Sequence, residues 1–194
     1  MTSEVDLHVH STASDGTLAP AELVQTCLEL GLRFVGLTDH DTTDGIQPAV
    51  DAAQSTPLTV IPGVEMSTQA SATSEIHILG YYIDDHYAPL QDRLRALRQS
   101  RFTRAHQMLH RLAEHGYPLS WQQISDLAGS GSIGRPHIAQ AMVQANYVDS
   151  VETAFRYYLG REGTAYVPRA KVSPEEAIAL ILAAGGVPVL AHPS

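Results

Sequence analysis

The chain has 194 residues, of which 44% are hydrophobic and 17% are charged, and this composition excludes a disordered or fibrous protein. The length suits one domain with a sizeable core, or one domain that carries a small insertion. The formal net charge of −9 argues against a general nucleic-acid-binding surface, and no binding to duplex DNA is expected.

The first predicted element is a strand from Val5 to His10, in which apolar and polar residues alternate. The alternation places the apolar residues on one face and Asp6, His8 and His10 on the other. Two imidazoles therefore share one face of this strand. The strand pattern begins without the basic and apolar regions of an export signal, so no such signal is predicted.

A helix is predicted from Pro20 to Leu30, because Pro stands in its first turn and Gly31 follows its end. Cys27 lies among apolar residues of this helix and is expected to be a buried thiol. It is the only cysteine, so no intramolecular disulfide can form, and a reducing cytoplasm fits best. An apolar strand from Phe34 to Leu37 then leads into Thr38–Asp41, which contains His40.

The alternation of helix and strand signals continues along the chain. The predicted elements are a helix near 46–53, a strand 58–61 that ends near Glu65, a strand 76–83 that carries His77, a helix from Pro174 and a strand 187–191 that delivers His192. This order predicts an α/β fold built of parallel βαβ units. In such folds the site lies at the carboxyl ends of the strands, where His40, Glu65 and His192 fall.

Between residues 85 and 166 the strand signals disappear, and we interpret this segment as an inserted, substrate-capping helical subdomain. Residues 1–84 and 167–194 would then form the main domain. Residues 1–84 contain 12 acidic side chains and one arginine, whereas residues 85–165 contain 7 acidic side chains and 9 arginines. This segregation suits cations bound by the first segment and an anionic group bound by the second, although an ordinary solvated surface has the same pattern.

Imidazole and carboxylate side chains that converge from several strand ends are typical of sites for Zn²⁺, Mn²⁺ or Fe²⁺. The residues with this placement are His8, His10, Asp15, His40, Glu65, His77 and His192. A carboxylate such as that of Glu65 can bridge two cations, which a histidine cannot do. Two adjacent metals that activate water are a recurrent solution for phosphoester hydrolysis.

Candidate phosphate-binding residues lie in the predicted insertion. Gly134–His137 combines the start of a predicted helix with Arg135 and His137, and all three features can hold a phosphate. Arg101 and Arg104 on a long predicted helix are further candidates, and solvation of the helix surface is an equally good interpretation of that pair. The longest apolar run is broken by glycine and proline, so no membrane span is expected.

These motifs resemble those of the PHP (polymerase and histidinol phosphatase) family. The resemblance rests on Asp6–Ser11 with Ser14–Gly16, Thr38–Asp41, Gly63–Glu65, His77 and Ala191–Pro193, in the family's order over nearly the whole chain. The insertion with Gly134–His137 resembles the branch of 3′,5′-nucleoside bisphosphate phosphatases and 5′-to-3′ exoribonucleases that act on short RNA. A phosphatase acting on a small-molecule nucleotide, with short RNA as a second substrate, is the implied function.

The resemblance implies a distorted (β/α)₇ barrel of the TIM-like type that holds up to three metals, often Mn²⁺. His8, His10 and Glu65 would hold the first metal, and Asp15 and His40 the second. The third would be held by Glu65, His77 and His192. Glu65, Asp15 and His40 would act in catalysis through the water that these metals activate, and Arg135, His137, Arg101 and Arg104 would bind the phosphates of the nucleotide.

The sequence departs from the family pattern after Ser194, because the family supplies a further Asp and His from a later strand. Five strands are predicted where seven are implied, so we expect the barrel to be incomplete at its C-terminal end and the chain to be part of a longer protein. Three alternative functions stay open: a small-metabolite phosphatase of the histidinol-phosphate type, a non-catalytic metal-binding module, and an amidohydrolase.

Overall fold

The computed structural model describes residues 4–71, 75–129, 133–168 and 172–193. The elements in chain order are β1 (Val5–Val9), α1 (Pro20–Glu29), β2 (Phe34–Leu37), α2 (Ile46–Ala53), β3 (Thr59–Gln69), β4 (Glu75–Tyr81), α3 (Ala88–Glu114), α4 (Trp121–Ala128), α5 (Arg135–Gln144), α6 (Val151–Ala154), a π-helical turn (Phe155–Leu159), α7 (Pro174–Ala183) and β5 (Val187–Leu190). In the part of the chain described, no helix has both the length and the apolar character needed to cross a bilayer.

The chain divides into two compact units. The first unit comprises residues 1–96 and 171–194, and the second comprises residues 97–170, so the division falls inside α3. The first unit contains one five-stranded sheet in the order β1-β2-β3-β4-β5. The α/β class and the five strands expected from the sequence are therefore confirmed.

The sheet is mixed rather than parallel. Strands β1, β2 and β3 pair in parallel, whereas β3 with β4 and β4 with β5 are antiparallel. The expectation of parallel units was therefore wrong for the last two strands. For β3 and β4 the physical reason is the length of their connection, since the few residues between Gln69 and Glu75 allow only an antiparallel return and not a crossover.

Strand β3 is longer than the sequence indicated, and it continues past Glu65 to Gln69. Its first part pairs with β2, and from Gly63 onward it pairs with β4. At this change of partner a Cβ on Gly63 would lie 2.9 Å from Thr38 Cγ2 and 3.0 Å from the carbonyl oxygens of Leu37 and Gly80. Glu65 therefore lies within a strand and not at its end, which corrects the sequence interpretation.

The sheet is strongly curved, so that side chains of its two outer strands approach each other. The Tyr81 hydroxyl at the end of β4 donates a hydrogen bond to the Leu7 carbonyl of β1, at 2.8 Å. The ring centroids of His8 in β1 and His192 after β5 are 5.8 Å apart. Within the described residues β1 and β5 remain the outer strands, and the closed seven-stranded barrel stays a prediction.

Helices α1 and α2 cover one side of the first unit, where they pack on β2. Val24, Cys27 and Ala49 of these helices are buried against Val35 and Leu37 of β2. Cys27 is a buried free thiol, as the sequence indicated. This layer holds β2 in place beneath the Thr38–Asp41 segment that carries His40.

The second unit is helical and has its own apolar core. That core is formed mainly by residues of α3, α4, α5 and the π-helical turn, namely Ala105, Met108, Leu109, Leu112, Ile124, Ile138, Ala139, Ala141, Met142, Ala154, Leu159, Ala165 and Val167. The apolar residues of α3 recur at helical spacing, as expected for core packing. Their burial makes the polar face of the helix the part that is available for contacts.

Candidate metal centre

The candidate ligands of the first unit come from every strand of the sheet. His8 lies in β1 and His10 directly after it, His40 follows β2, Glu65 lies in β3, His77 in β4, and His192 follows β5. The alternation in β1 has the predicted effect, because His8 and His10 lie side by side with ring centroids 5.1 Å apart. The structure thus brings together all seven residues that the sequence singled out in this unit.

Glu65 stands at the centre of this group, and its side chain is 1% exposed. Its Oε2 lies 2.9 Å from His8 Nε2, 3.2 Å from His10 Nε2 and 3.4 Å from His40 Nδ1. Its Oε1 lies 2.8 Å from His77 Nδ1 and 3.1 Å from His192 Nε2. One carboxylate therefore faces five imidazoles, and its two oxygens face different ones.

The five imidazoles form a closed ring around Glu65. Neighbouring ring centroids are separated by 5.1 Å (His8–His10), 4.7 Å (His10–His40), 5.0 Å (His40–His77), 5.2 Å (His77–His192) and 5.8 Å (His192–His8). Imidazoles at this spacing repel one another when protonated. The arrangement is therefore suited to neutral rings that present lone pairs to cations.

Asp15 extends the group on its open side. Its carboxylate oxygens lie 3.5 Å from His10 Nδ1 and 3.7 Å from His40 Nε2, and its side chain is 58% exposed. Three sets of ligand atoms lie within 4.8 Å of one another and could each hold a cation: His8–His10–Glu65, His10–Asp15–His40 and His40–Glu65–His77. The sets overlap at His10, His40 and Glu65, and of these three residues only the carboxylate of Glu65 can bridge two cations.

The ionisation of the central residues reflects this crowding. Burial raises the pKa of Glu65, but the hydrogen bonds with His10 and His77 and the proximity of His40 outweigh it and bring the pKa well below its usual range. Burial lowers the pKa of His40 to about 4, against the opposing charges of Glu65 and Asp15. Glu65 is therefore a carboxylate and His40 a neutral imidazole at neutral pH, the states that bind metals.

Two ring nitrogens in the group are buried without a hydrogen-bond partner among the described residues, namely Nδ1 of His10 and Nδ1 of His40. Buried polar atoms in proteins are nearly always hydrogen-bonded, and the exceptions require an explanation such as an unrecorded ion. Together with the carboxylates of Glu65 and Asp15, these nitrogens form a donor set that fits divalent cations of the Mn²⁺, Fe²⁺ and Zn²⁺ type.

The sequence interpretation missed the role of Asp39 and Asp41, the residues on either side of His40. Both are buried, and Asp41 has a positive φ of 53°. The Asp41 N–H donates to the Glu65 carbonyl at 3.0 Å, and its Oδ1 accepts from the Ser67 N–H at 3.0 Å. The sequence contained an indication of this, because two aspartates close to the end of an apolar strand are expected to be buried and to need hydrogen-bond partners.

The four predicted phosphate-binding residues lie in the second unit. Arg104 Nε donates to the Val167 carbonyl at 2.6 Å, and Arg135 Nη1 approaches the Leu159 carbonyl at 3.4 Å. His137 Nδ1 accepts from the Gly134 N–H at 3.1 Å, so this helix N–H is satisfied within the unit. Arg101 lies three residues before Arg104 on α3. Their role in substrate binding stays a prediction.

The chain is similar in sequence to known proteins. The family model of the PHP domain matches residues 6–182 of the chain. The chain is 37% identical over 190 residues to the 5′-3′ exoribonuclease Rnm of Salmonella typhimurium, covering 97% of this chain and 64% of that protein. It is 33% identical over 197 residues to the 3′,5′-nucleoside bisphosphate phosphatase of Chromobacterium violaceum, covering 98% of this chain and 67% of that protein.

A similar fold is present in a crystal structure from Bifidobacterium adolescentis, of a protein provisionally named a metal-dependent phosphoesterase. The two share 32% sequence identity with a TM-score of 0.83, and the match covers 97% of this chain and 66% of the other. The chain spans only part of the length of these proteins, namely 64% of the Salmonella relative. The family match over most of its residues and the likeness in fold agree, and this chain belongs to the PHP domain family.

Proposed function

We propose that this protein is a metal-dependent phosphoesterase that hydrolyses a phosphate monoester of a nucleotide. The preferred substrate is the 3′-phosphate of a 3′,5′-nucleoside bisphosphate, with short oligoribonucleotides as a second class. The observation that carries this proposal is the ring of five imidazoles around the buried carboxylate of Glu65. The names of the two relatives, an exoribonuclease and a bisphosphate phosphatase, support the choice of substrate.

The proposed ligand allocation follows the positions of the oxygens of Glu65. Its Oε2, facing His8 and His10, would hold one metal, and its Oε1, facing His77 and His192, would hold another. Asp15 and His40 would hold a further metal. A carboxylate whose two oxygens face different imidazoles is suited to bridge cations. Mn²⁺ is proposed, with Zn²⁺ and Fe²⁺ as alternatives.

When bound, such cations supply Lewis-acid activation of the phosphoryl group and of water. The protein contributes side chains that are in the ionisation states that cation binding requires. Glu65 stays ionised because its pKa is depressed, and His40, with a pKa of about 4, keeps a lone pair at neutral pH. Asp15 is 58% exposed, whereas Glu65 is 1% exposed. We therefore propose that the substrate approaches from the side of Asp15.

The substrate-capping role of residues 85–166 remains part of the proposal. Among the candidate phosphate-binding residues we favour Arg135, because a guanidinium can bind a phosphate through two parallel hydrogen bonds. In the structure its guanidinium carbon lies 5.5 Å from the centre of the Phe155 ring, a contact that orients the side chain. The proposed ligand of Arg135 is the phosphate that is not hydrolysed.

The Arg135→Ala variant is expected to have a KM for a 3′,5′-nucleoside bisphosphate about tenfold or more above wild type, because a charge-assisted hydrogen bond contributes about 1.5–3 kcal/mol. The rate at saturation should change little. Steady-state kinetics with the bisphosphate and with the matching 3′-monophosphate measure the effect. Arg156→Ala, at an exposed arginine of the π-helical turn, is the control. An unchanged KM in a folded Arg135→Ala protein would contradict the assignment.

The direct test of the proposed function is hydrolysis of a panel of phosphate esters, measured as inorganic phosphate released from the monoesters and as mononucleotides released from the oligoribonucleotide. The panel contains a 3′,5′-nucleoside bisphosphate, a 5′-monophosphate, a short oligoribonucleotide and histidinol phosphate, each with Mn²⁺ and after chelation with EDTA. Release is expected to be fastest from the bisphosphate and to stop after chelation. Release that survives chelation, or none from any nucleotide, would overturn the proposal, and faster release from histidinol phosphate would favour a small-metabolite phosphatase.

A further inference from the structure

Asp39 is a buried acidic residue next to a candidate metal ligand, although it is not itself a candidate ligand. It precedes His40, it is 2% exposed, and its carboxylate accepts hydrogen bonds from the loop that follows β1. Burial of a carboxylate is unfavourable unless its oxygens accept hydrogen bonds. The partners of Asp39 therefore indicate why a carboxylate is needed at this place.

The carboxylate of Asp39 accepts three hydrogen bonds from one short loop. Its Oδ1 accepts from the Ser11 N–H at 2.7 Å and from the Ser14 hydroxyl at 2.6 Å, and its Oδ2 accepts from the Ser11 hydroxyl at 2.7 Å. Ser11 follows His10, and Ser14 precedes Asp15. Both serines are at most 1% exposed. One buried side chain thus fixes the segment that presents two candidate ligands.

The loop is also fixed from within and from behind. The N–H groups of Ser14 and Gly16 each donate to the Ser11 carbonyl at 3.0 Å. On the far side, a Cβ on Gly45 would lie 2.6 Å from Asp39 Oδ2 and 2.9 Å from Ser11 Oγ. The backbone of Gly45 therefore lies close to this carboxylate, where a larger side chain would not fit. The loop is therefore held by its own backbone hydrogen bonds and, from outside the loop, by the carboxylate of Asp39.

Asp39 is tied to the centre of the site by its main chain as well. Its carbonyl accepts from the Glu65 N–H at 3.1 Å, and the following residue, His40, forms a bridge with Glu65. One residue therefore connects β3, which carries Glu65, to the loop between His10 and Asp15. These two segments are far apart in sequence, and Asp39 contacts both of them from the segment that carries His40.

We propose that Asp39 is a positioning residue of the metal site, which holds His10 and Asp15 at the distance from His40 and Glu65 that cation binding requires. The inference rests on the proposed function only in that the site binds divalent cations. Groups that orient metal ligands through hydrogen bonds typically contribute about 10–100-fold in metal affinity. Asp39 acts through the serines of the loop and does not itself touch the cation.

The test is titration of the metal-free protein with Co²⁺ alone, followed by its visible absorption spectrum. Asp39→Asn keeps the shape of the side chain but turns an amide NH₂ toward hydrogen-bond donors, and it is expected to bind Co²⁺ about 10–100-fold more weakly with an altered spectrum. Ser14→Ala removes one of the three hydrogen bonds without a change of charge. It is expected to change affinity and spectrum in the same direction, by less.

Asp44→Asn is the matched control, since Asp44 is an exposed acidic residue of the segment that follows His40. It should bind Co²⁺ like wild type with the same spectrum. Wild-type affinity and spectrum in both Asp39→Asn and Ser14→Ala would overturn the inference, and so would an equal loss in Asp44→Asn. If Asp39→Asn does not fold, as judged by circular dichroism, Ser14→Ala decides alone. A wild-type protein that binds no Co²⁺ would overturn the proposed function as well.

Discussion

The Glu65→Gln variant is expected to lose Mn²⁺-dependent phosphate release by about 100-fold or more. The metals that Glu65 is proposed to bridge stabilise the charge of the transition state by several kcal/mol. The amide has one oxygen and a neutral charge, so it can no longer face two groups of imidazoles as an anion. Its NH₂ group would point at ring nitrogens 2.8–3.1 Å away on one side or 2.9–3.4 Å away on the other. The loss should lie in the rate at saturation.

The comparison that tests the bridge is His77→Ala, which removes one ligand of one proposed metal. Phosphate release by this variant should fall less than in Glu65→Gln. Glu29→Gln, at an exposed position of α1, controls for the loss of one negative charge. Equal losses in Glu65→Gln and His77→Ala, measured at saturating Mn²⁺ with both proteins folded by circular dichroism, would contradict a bridging role for Glu65.

Addition of Mn²⁺ to the metal-free protein is expected to raise the midpoint of thermal unfolding by about 5–10 °C. A ligand that binds only the folded state at about 100 times its Kd stabilises it by about 2.7 kcal/mol, and about 2–4 °C per kcal/mol is typical of chains of this size. The native state alone assembles the site, because His8 and His192 are separated by most of the chain and meet only in the folded sheet. Metal binding is thus coupled to folding.

Thermal scans monitored by circular dichroism, with EDTA and with Mn²⁺, measure this shift. Ca²⁺ prefers oxygen ligands and is expected to give a much smaller shift than Mn²⁺ at a site dominated by imidazoles. Glu65→Gln should lose most of the stabilisation, since the central carboxylate contributes to two of the three proposed metals. A shift of the same size with Ca²⁺, or in Glu65→Gln, would show that the cation binds elsewhere.

Much of the first unit could be predicted from local patterns. The alternation in β1 identified the face that carries His8 and His10, and the apolar segment Phe34–Leu37 appears as β2 with the predicted bounds. Glu65 lies among the other candidate ligands, as expected, but it lies within its strand and not at the end. The local pattern does not specify which neighbour a strand pairs with, and β3 continues to Gln69 because it exchanges β2 for β4 at Gly63.

The sequence by itself determined which residues are candidate metal ligands, because a His-x-His pair and polar residues at strand ends are visible in the order of the chain. Only the tertiary structure decided their arrangement around Glu65 and the role of Asp39 as the tie to Ser11 and Ser14. The reason is that periodicity reports the face and the type of an element, whereas distances between segments depend on strand order and register. Those are set by non-local pairing, which no local pattern encodes.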